Sequence, residues 1–146
     1  MNTQEKPQPR MNSINRPFWQ ACNEEKLLIQ QCESSSCGKW IYFPRVCCPN
    51  CGNGNLAWRE ASGKGVIETY AVIRRPQHPS FFDEAPYYFI AVRLAEGPLM
   101  YSRLDHPYDP ELELIGSIVT VTYTPHGTKQ KVPFFVLEGR TESIAS

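Results

Sequence analysis

The sequence has no long apolar run and no surplus of charge of either sign. No stretch approaches the roughly 18 consecutive apolar residues that a membrane-spanning helix needs. Residues 1–10 are polar and lack the apolar segment of a secretory signal. Fifteen basic residues balance fifteen acidic ones, which argues against a protein whose main task is to neutralise a phosphate backbone. We expect a cytoplasmic protein that has no membrane partner.

Motifs for catalysis are also missing. The sequence contains no phosphate-binding loop of the GxxxxGK type. Acyl transfer needs a nucleophile beside a base, yet His78, His106 and His126 each adjoin a proline or glycine, and no local serine or cysteine motif accompanies them. We interpret all three as exposed loop histidines and predict no catalytic residue.

Cysteine, in contrast, is concentrated in one short segment. Five of the six cysteines lie between residues 32 and 51. Cys48 and Cys51 are separated by two residues, and Gly52 follows, where a positive φ lets the chain leave a metal-binding turn. Cys32 and Cys37 form a second, wider pair. Two turns with two thiolates each satisfy a tetrahedral zinc ion, so we predict one structural zinc bound by these four cysteines.

Other interpretations of the cysteines remain open from the sequence. Cys47 competes with Cys48, although only Cys48 completes the two-residue spacing to Cys51. Disulfides are one alternative, but a reducing cytoplasm favours metal ligands. An iron site of rubredoxin type is another. Cys22 stands apart on a predicted helix, where it is interpreted as a small buried apolar residue.

The first half of the chain predicts a small metal-binding module. Residues 1–15 are polar and are interpreted as a disordered arm. A helix is predicted from residue 17 to 25, followed by strands at 27–31, 39–43 and 56–60. Such a unit buries little apolar surface, so metal binding has to supply its folding free energy. We assign residues 16–62 to this helix and zinc ribbon.

The second half predicts a β-barrel. Five segments rich in Val, Ile, Tyr, Phe and Thr are separated by Pro, Gly, Asp and His. Their number and spacing fit a five-stranded oligonucleotide/oligosaccharide-binding (OB) fold, with Gly63 and Gly65 allowing the first strand to coil sharply. A small antiparallel sandwich is the alternative, and a helical turn is predicted at 110–114. We assign the barrel to residues 63–140 and a tail to 141–146.

Candidate partner contacts lie in two aromatic segments and one basic pair. The loop at 76–86 combines prolines, an acidic pair and the adjacent Phe81 and Phe82 in a position where OB folds present a binding loop. On the helix, Phe18 and Trp19 either cover the metal module or await a partner chain. A further candidate contact, to coenzyme A or to a partner's carboxylate, is the pair Arg74 and Arg75.

The order of these features resembles the acyl-CoA-associated family that joins an N-terminal helix and rubredoxin-like zinc ribbon to a C-terminal OB fold. The segments that carry the resemblance are PFWQAC, LLIQQC, FPRVCCPNCG, SGKGVIETYAVIRR, APYYFIAVRLAEGP and IGSIVTV, and they extend over residues 16–138. This sequence departs from the pattern in its wider first cysteine turn and in the extra Cys47.

The resemblance implies a non-catalytic partner of thiolase-fold enzymes in a hetero-oligomer. Such complexes include archaeal thiolase assemblies, steroid side-chain aldolases and the bacterial acyltransferase that acetylates phloroglucinols, whose small subunit is similar in size and layout. The rival function is single-stranded nucleic-acid binding, for which Tyr70, Tyr87, Tyr88 and Phe89 are candidate stacking residues.

Overall fold

The amino-terminal part of the protein forms a helix and a three-stranded ribbon. The computed structural model describes residues 11–126 and 130–138. Helix α1 comprises Arg16–Asn23, and strands β1, β2 and β3 comprise Leu28–Cys32, Trp40–Ile41 and Leu56–Glu60. The three strands form an antiparallel sheet in the order β2-β1-β3. This confirms the predicted helix and ribbon, although β2 is shorter than the predicted strand at 39–43.

The start and end of helix α1 follow from local chemistry. Asn12 and Asn15 form a turn in which the backbone N–H of each donates to the other's Oδ1 at 2.8 Å. Residues 13–15 form this turn; the predicted disordered arm at 1–15 stays a prediction, and its residues 1–10 lie outside the described part. The helix ends at Asn23 rather than residue 25, because Glu25 has left helical geometry with a φ of 61°.

The remaining five strands close into a barrel. They are β4 (Lys64–Ile73), β5 (Tyr87–Leu94), β6 (Leu99–Leu104), β7 (Ile118–His126) and β8 (Gln130–Leu137). Their order is β4-β5-β6-β8-β7, with β7 pairing back onto β4. The five-stranded barrel confirms the predicted OB architecture, and its closure excludes the sandwich.

A 3₁₀ helix, Pro79–Glu84, lies in the loop between β4 and β5. Residues 110–114 form only a short turn and not the predicted helical turn. The predicted tail at 141–146 lies outside the described residues.

Gly65 is required where β4 begins, because strands approach closely there. A Cβ on this residue would lie 2.5 Å from Val92 Cγ1 and 2.6 Å from the carbonyl oxygen of Arg93. Both distances are far below van der Waals contact, and the backbone carbonyl has little freedom to move. A side chain is therefore excluded at this point of the barrel.

Two clusters of buried residues stabilise the fold, and they differ greatly in size. The large cluster fills the barrel and also includes Phe18 and Cys22 from the helix, Leu27 from the segment before β1, and Ile29 from β1. Helix α1 therefore packs on the barrel. A separate small cluster under the ribbon contains three buried residues, namely Cys32, Ile41 and Cys48. The ribbon has almost no apolar core of its own.

Candidate metal centre and partner surfaces

Four cysteine sulfurs converge at the end of the ribbon. The Sγ atoms of Cys32, Cys37, Cys48 and Cys51 all lie within 4.8 Å of one another. Cys32 Sγ is 3.6 Å from Cys51 Sγ, and Cys37 Sγ is 3.7 Å from Cys48 Sγ. Thiolates at about 2.3 Å from a tetrahedral zinc ion are separated by about 3.8 Å, whereas a disulfide requires about 2.05 Å. The four sulfurs therefore fit one zinc ion and form no disulfide among themselves.

The second cysteine turn is shaped by main-chain hydrogen bonds. Cys48 N–H donates to the carbonyl of Asn53 at 2.8 Å, and Gly52 N–H donates to the carbonyl of Cys48 at 2.8 Å. Gly52 has a φ of 81°, a conformation that glycine adopts without steric cost. Asn50 then donates to sulfur twice, from its backbone N–H to Cys48 Sγ and from Nδ2 to Cys37 Sγ, each at 3.4 Å. The side-chain donor favours a thiolate at Cys37.

The electrostatics of the four thiols also fit a bound cation. The backbone N–H of Lys39, helped by the Asn50 side chain, lowers the pKa of the Cys37 thiol to about 6. At Cys51 the backbone N–H of Asn53 lowers the pKa, but neighbouring sulfurs, Cys32 foremost, and burial outweigh it and raise the value to about 12. The neighbouring sulfurs thus favour the thiolate at Cys37 and oppose it at Cys51. A divalent cation removes this conflict, because thiols that bind it are deprotonated.

The two remaining cysteines lie outside the sulfur cluster. Cys47 is exposed, whereas its neighbour Cys48 is buried and contributes its sulfur to the cluster. The structure therefore places Cys48, the residue preferred from the sequence, at the metal site. Cys22 is fully buried in the large core, and burial raises the pKa of its thiol to about 12. It is a small apolar residue of the core, as the sequence predicts.

Two adjacent glutamines on β1 each hold one of the cysteine-bearing loops. Gln30 is buried; its Nε2 donates to the carbonyl of Arg45 at 2.9 Å, and its Oε1 accepts from Arg45 N–H at 2.7 Å. Gln31 Nε2 donates to the carbonyl of Gly38 at 3.0 Å. These amides act as substitutes for strand pairing on either side of β2, at Gly38 before the strand and at Arg45 after it. Sequence reasoning missed them, because a glutamine in a strand carries no motif.

The histidines serve as local structural contacts, and none is fully exposed. His78 Nδ1 accepts from the backbone N–H of Ser80 at 3.1 Å and lies 2.7 Å from Ser80 Oγ. A serine does therefore accompany one histidine, which corrects the sequence-based statement. Both contacts cap the start of the 3₁₀ helix, and Ser80 is buried. His126 stacks on Phe81, with ring centroids 6.1 Å apart.

The predicted aromatic contacts divide into buried and exposed members. Phe18 is only 4% exposed, because the short helix turns it into the core, so its ring is not available to a partner. Trp19 is half-buried beside it, with ring centroids 4.9 Å apart at right angles. In the 76–86 loop, Phe81 is half-buried against His126, while Phe82 is 56% exposed. Phe82 and Trp19 are the members that a partner can reach.

The two arginines after β4 also differ. Arg74 Nη2 donates to Tyr108 Oη at 3.0 Å, and its guanidinium lies 5.1 Å from the centre of that ring. Arg75 is exposed and lines a shallow pocket with Arg74, Pro76 and Phe82. Arg74 thus has a structural partner, and Arg75 is the freer cation for a ligand or another chain.

Comparison with known families agrees with the two halves of this structure. Residues 19–57 match the family described as "ChsH2, rubredoxin-like zinc ribbon domain". Residues 58–124 match "ChsH2, C-terminal OB-fold domain". Sulfur geometry and family match thus define a zinc-ribbon and OB-fold protein. Within the described residues, no helix is long and apolar enough to cross a membrane.

Individual relatives share this layout. A solved structure described as "Ltp2-ChsH2(DUF35) aldolase" is 30% identical, has a TM-score of 0.77, and matches over 89% of this chain and 98% of its own. The chain therefore belongs to the ChsH2-type DUF35 family of zinc-ribbon and OB-fold proteins.

Two curated relatives are longer than the region that matches. A "Probable enoyl-CoA hydratase alpha subunit" of Thermomonospora curvata is 31% identical over 130 residues, which cover 89% of this chain and 39% of that protein. A "DUF35 domain-containing scaffold protein" of Pyrococcus furiosus is 35% identical over 89 residues, covering 60% and 62%. The chain spans less than two thirds of the length of either relative.

Proposed function

We propose that this chain is a non-catalytic, zinc-binding subunit that bridges or completes a thiolase-fold acyltransferase complex. The observation that carries the proposal is the match, over nearly the full length of the solved chain, to a structure described as an Ltp2-ChsH2(DUF35) aldolase. A relative described as a scaffold protein supports the same role. The zinc ion is structural, since four cysteines leave no open coordination position for water or substrate.

The proposal extends to the substrates of the complex and to the compartment in which it acts. The complex acts in the cytoplasm on acyl thioesters or acylated small molecules, for example in phloroglucinol acetylation. The relative described as an enoyl-CoA hydratase subunit supports chemistry on an acyl thioester. Residues 16–62 form the metal module and residues 63–140 the barrel in this proposal.

Co-expression with the thiolase-fold enzyme encoded by a neighbouring gene tests the role. The two proteins should elute together in size-exclusion chromatography, and acyl transfer should require both. Separate elution, or full assembly and activity of the enzyme without this chain, would contradict a subunit role. Zinc content of the purified complex should be one ion per copy of this chain.

The 76–86 loop is proposed as one of the partner contacts. Phe82 is exposed beside Arg75, whereas Phe81 supports the loop through His126. Replacing both phenylalanines by serine should weaken the complex without loss of zinc. Phe82→Ser alone should do so without altering the fold, and an unchanged elution profile for both variants would argue against this contact.

One observation favours the rival function of single-strand binding. Phe89 and Tyr101 stack nearly parallel on the outer face of β5 and β6, with centroids 6.0 Å apart, and this face binds nucleic acid in many OB folds. Tyr88, however, is buried and donates from its hydroxyl to the carbonyl of Asp109. A mobility shift of labelled single-stranded DNA at 50 mM salt would support the rival, and no shift would end it.

A further inference from the structure

An aromatic ridge stands between two clefts on the side of the molecule that carries the sulfur cluster. Tyr42, Phe43 and Pro44 follow β2, and Phe43 is 68% exposed. On one side lies a cleft of about 590 Å³ between the ribbon and the start of β6. On the other lies a cleft of about 420 Å³ against helix α1. Phe43 lines both, so it projects from the surface with a hollow on each side.

The charge of this surface has one sign. Lys39 and Arg45 line the larger cleft, and among the described residues no Asp or Glu lines either cleft. Neither cation forms an ion pair within residues 11–126 and 130–138. The two cations are therefore not balanced by acidic residues in these clefts, and a ligand with negative charge is complementary to this surface.

The backbone that follows the ridge is fixed by hydrogen bonds. The main chain of Arg45 is fixed by both ends of the Gln30 amide, and Cys48 and Asn50 of the metal centre form part of the cleft wall. The Gln30 hydrogen bonds use only the backbone of Arg45, which leaves its guanidinium for another partner. An ordered, exposed aromatic side chain costs little entropy when it is buried by a second protein. Aromatic side chains presented in this way are common hot spots of binding.

We propose that the ridge at residues 42–44 is a docking site for an apolar pocket with an acidic rim on the thiolase-fold subunit, in which Phe43 is the anchor and Lys39 and Arg45 pair with the rim. This rests on the function proposed above and names the surface that performs it. In this arrangement the zinc ion takes no part in the reaction. It fixes the loop that the partner recognises.

The test uses the full zinc-loaded chain and its co-expressed thiolase-fold subunit. Phe43→Ser should weaken association by about 30-fold or more, as expected for a hot-spot residue. Ile115→Ser is the matched control, because Ile115 is 67% exposed and lines neither cleft. It should bind as the unaltered chain does. Zinc content and near-ultraviolet circular dichroism should be the same for all three proteins.

A charge reversal tests the acidic rim separately. Arg45→Glu should slow association about tenfold at low salt, and the difference should shrink at high salt because exposed charges are screened. Lys26→Glu, which reverses an exposed lysine that lines neither cleft, should have a much smaller effect. An equal effect of both reversals would show only a non-specific effect of net charge on association and would overturn the proposed pairing.

The possible outcomes separate this inference from the function on which it rests. If the unaltered chain binds the enzyme and Phe43→Ser binds equally well, the docking site is wrong and the subunit role stands. If the unaltered chain binds no thiolase-fold subunit, both fail. If Phe43→Ser instead abolishes self-association in sedimentation experiments, or Arg45→Glu abolishes binding of single-stranded DNA, the ridge serves another ligand and the proposal is overturned.

Discussion

The ribbon and the barrel of this protein are stabilised by different means. The cluster under the ribbon has three buried residues, two of which are cysteines of the metal centre. The large cluster has sixteen, most of them from the barrel strands. Ribbon strand β2 has two residues, whereas the barrel strands have six to ten. One half therefore depends on a metal and on side-chain amides, and the other on burial of apolar surface.

Removal of the metal should produce the largest effect and should act on one half only. Cys48→Ser, or a strong chelator, should remove most of the roughly 10–16 kcal/mol that zinc supplies to such modules. All three tryptophans, Trp19, Trp40 and Trp58, precede residue 62 and pack against the large cluster, so tryptophan circular dichroism and fluorescence report on the contact of the helix and ribbon with the barrel. These signals should change, while most backbone resonances of the barrel persist.

The matched control for this prediction is Cys47→Ser. Cys47 is exposed and outside the sulfur cluster, so its replacement should leave the zinc content at one ion. Metal-free protein that keeps its full near-ultraviolet circular dichroism would contradict the dependence of the ribbon on zinc.

A cavity in the barrel should destabilise the barrel and leave the zinc bound to the ribbon. Phe135 is fully buried in the large cluster, and Phe135→Ala should lower the free energy of unfolding by about 3–5 kcal/mol. Zinc should remain bound at temperatures where the barrel is still folded. Denaturant titration with a parallel zinc assay measures both, and a midpoint of zinc release that falls together with the unfolding midpoint of the barrel would show that the two halves are not separable.

Loss of one amide contact should weaken the ribbon by a smaller amount. Gln30→Ala leaves the backbone N–H and carbonyl of Arg45 without their partner, which should cost about 1–3 kcal/mol and speed the transfer of zinc to a chelator. Gln31→Ala removes a single hydrogen bond to Gly38 and should have the lesser effect. Transfer rates that are equal in both variants and in the unaltered chain would contradict this role.

The smallest effect should come from an exposed ion pair on the barrel. Arg93 donates to Glu68 at 2.8 Å, and this hydrogen bond lowers the pKa of the Glu68 carboxyl. A lowered carboxyl pKa contributes stability above the unfolded value, near 4.3, that is lost as the pH falls. Glu68→Gln should therefore reduce barrel stability slightly at pH 7 and not at pH 3. A larger loss at pH 3 would reverse the expected sign.

Strand positions and cysteine spacing were predictable, whereas contacts between distant residues were not. The sequence pattern located β3 at its observed residues and predicted the number of barrel strands. The spacing of Cys48 and Cys51 distinguished Cys48 from Cys47. Phe18 was predicted as a possible contact because pattern alone does not reveal that a helix of eight residues packs on strand β8. The Gln30 contact was missed for the same reason, since its partner lies 15 residues away.

The same packing of helix on barrel has a consequence for synthesis. Gln130 Nε2 donates to the carbonyl of Trp19 at 3.0 Å, and Lys131 N–H donates to Asn23 Oδ1 at 2.8 Å. These partners are 111 and 108 positions apart. A ribosome adds about 5–20 residues per second, so helix α1 is synthesised roughly 5–20 seconds before the strand β8 on which it packs. During that interval Phe18 of the nascent chain is exposed, and a chaperone can bind it.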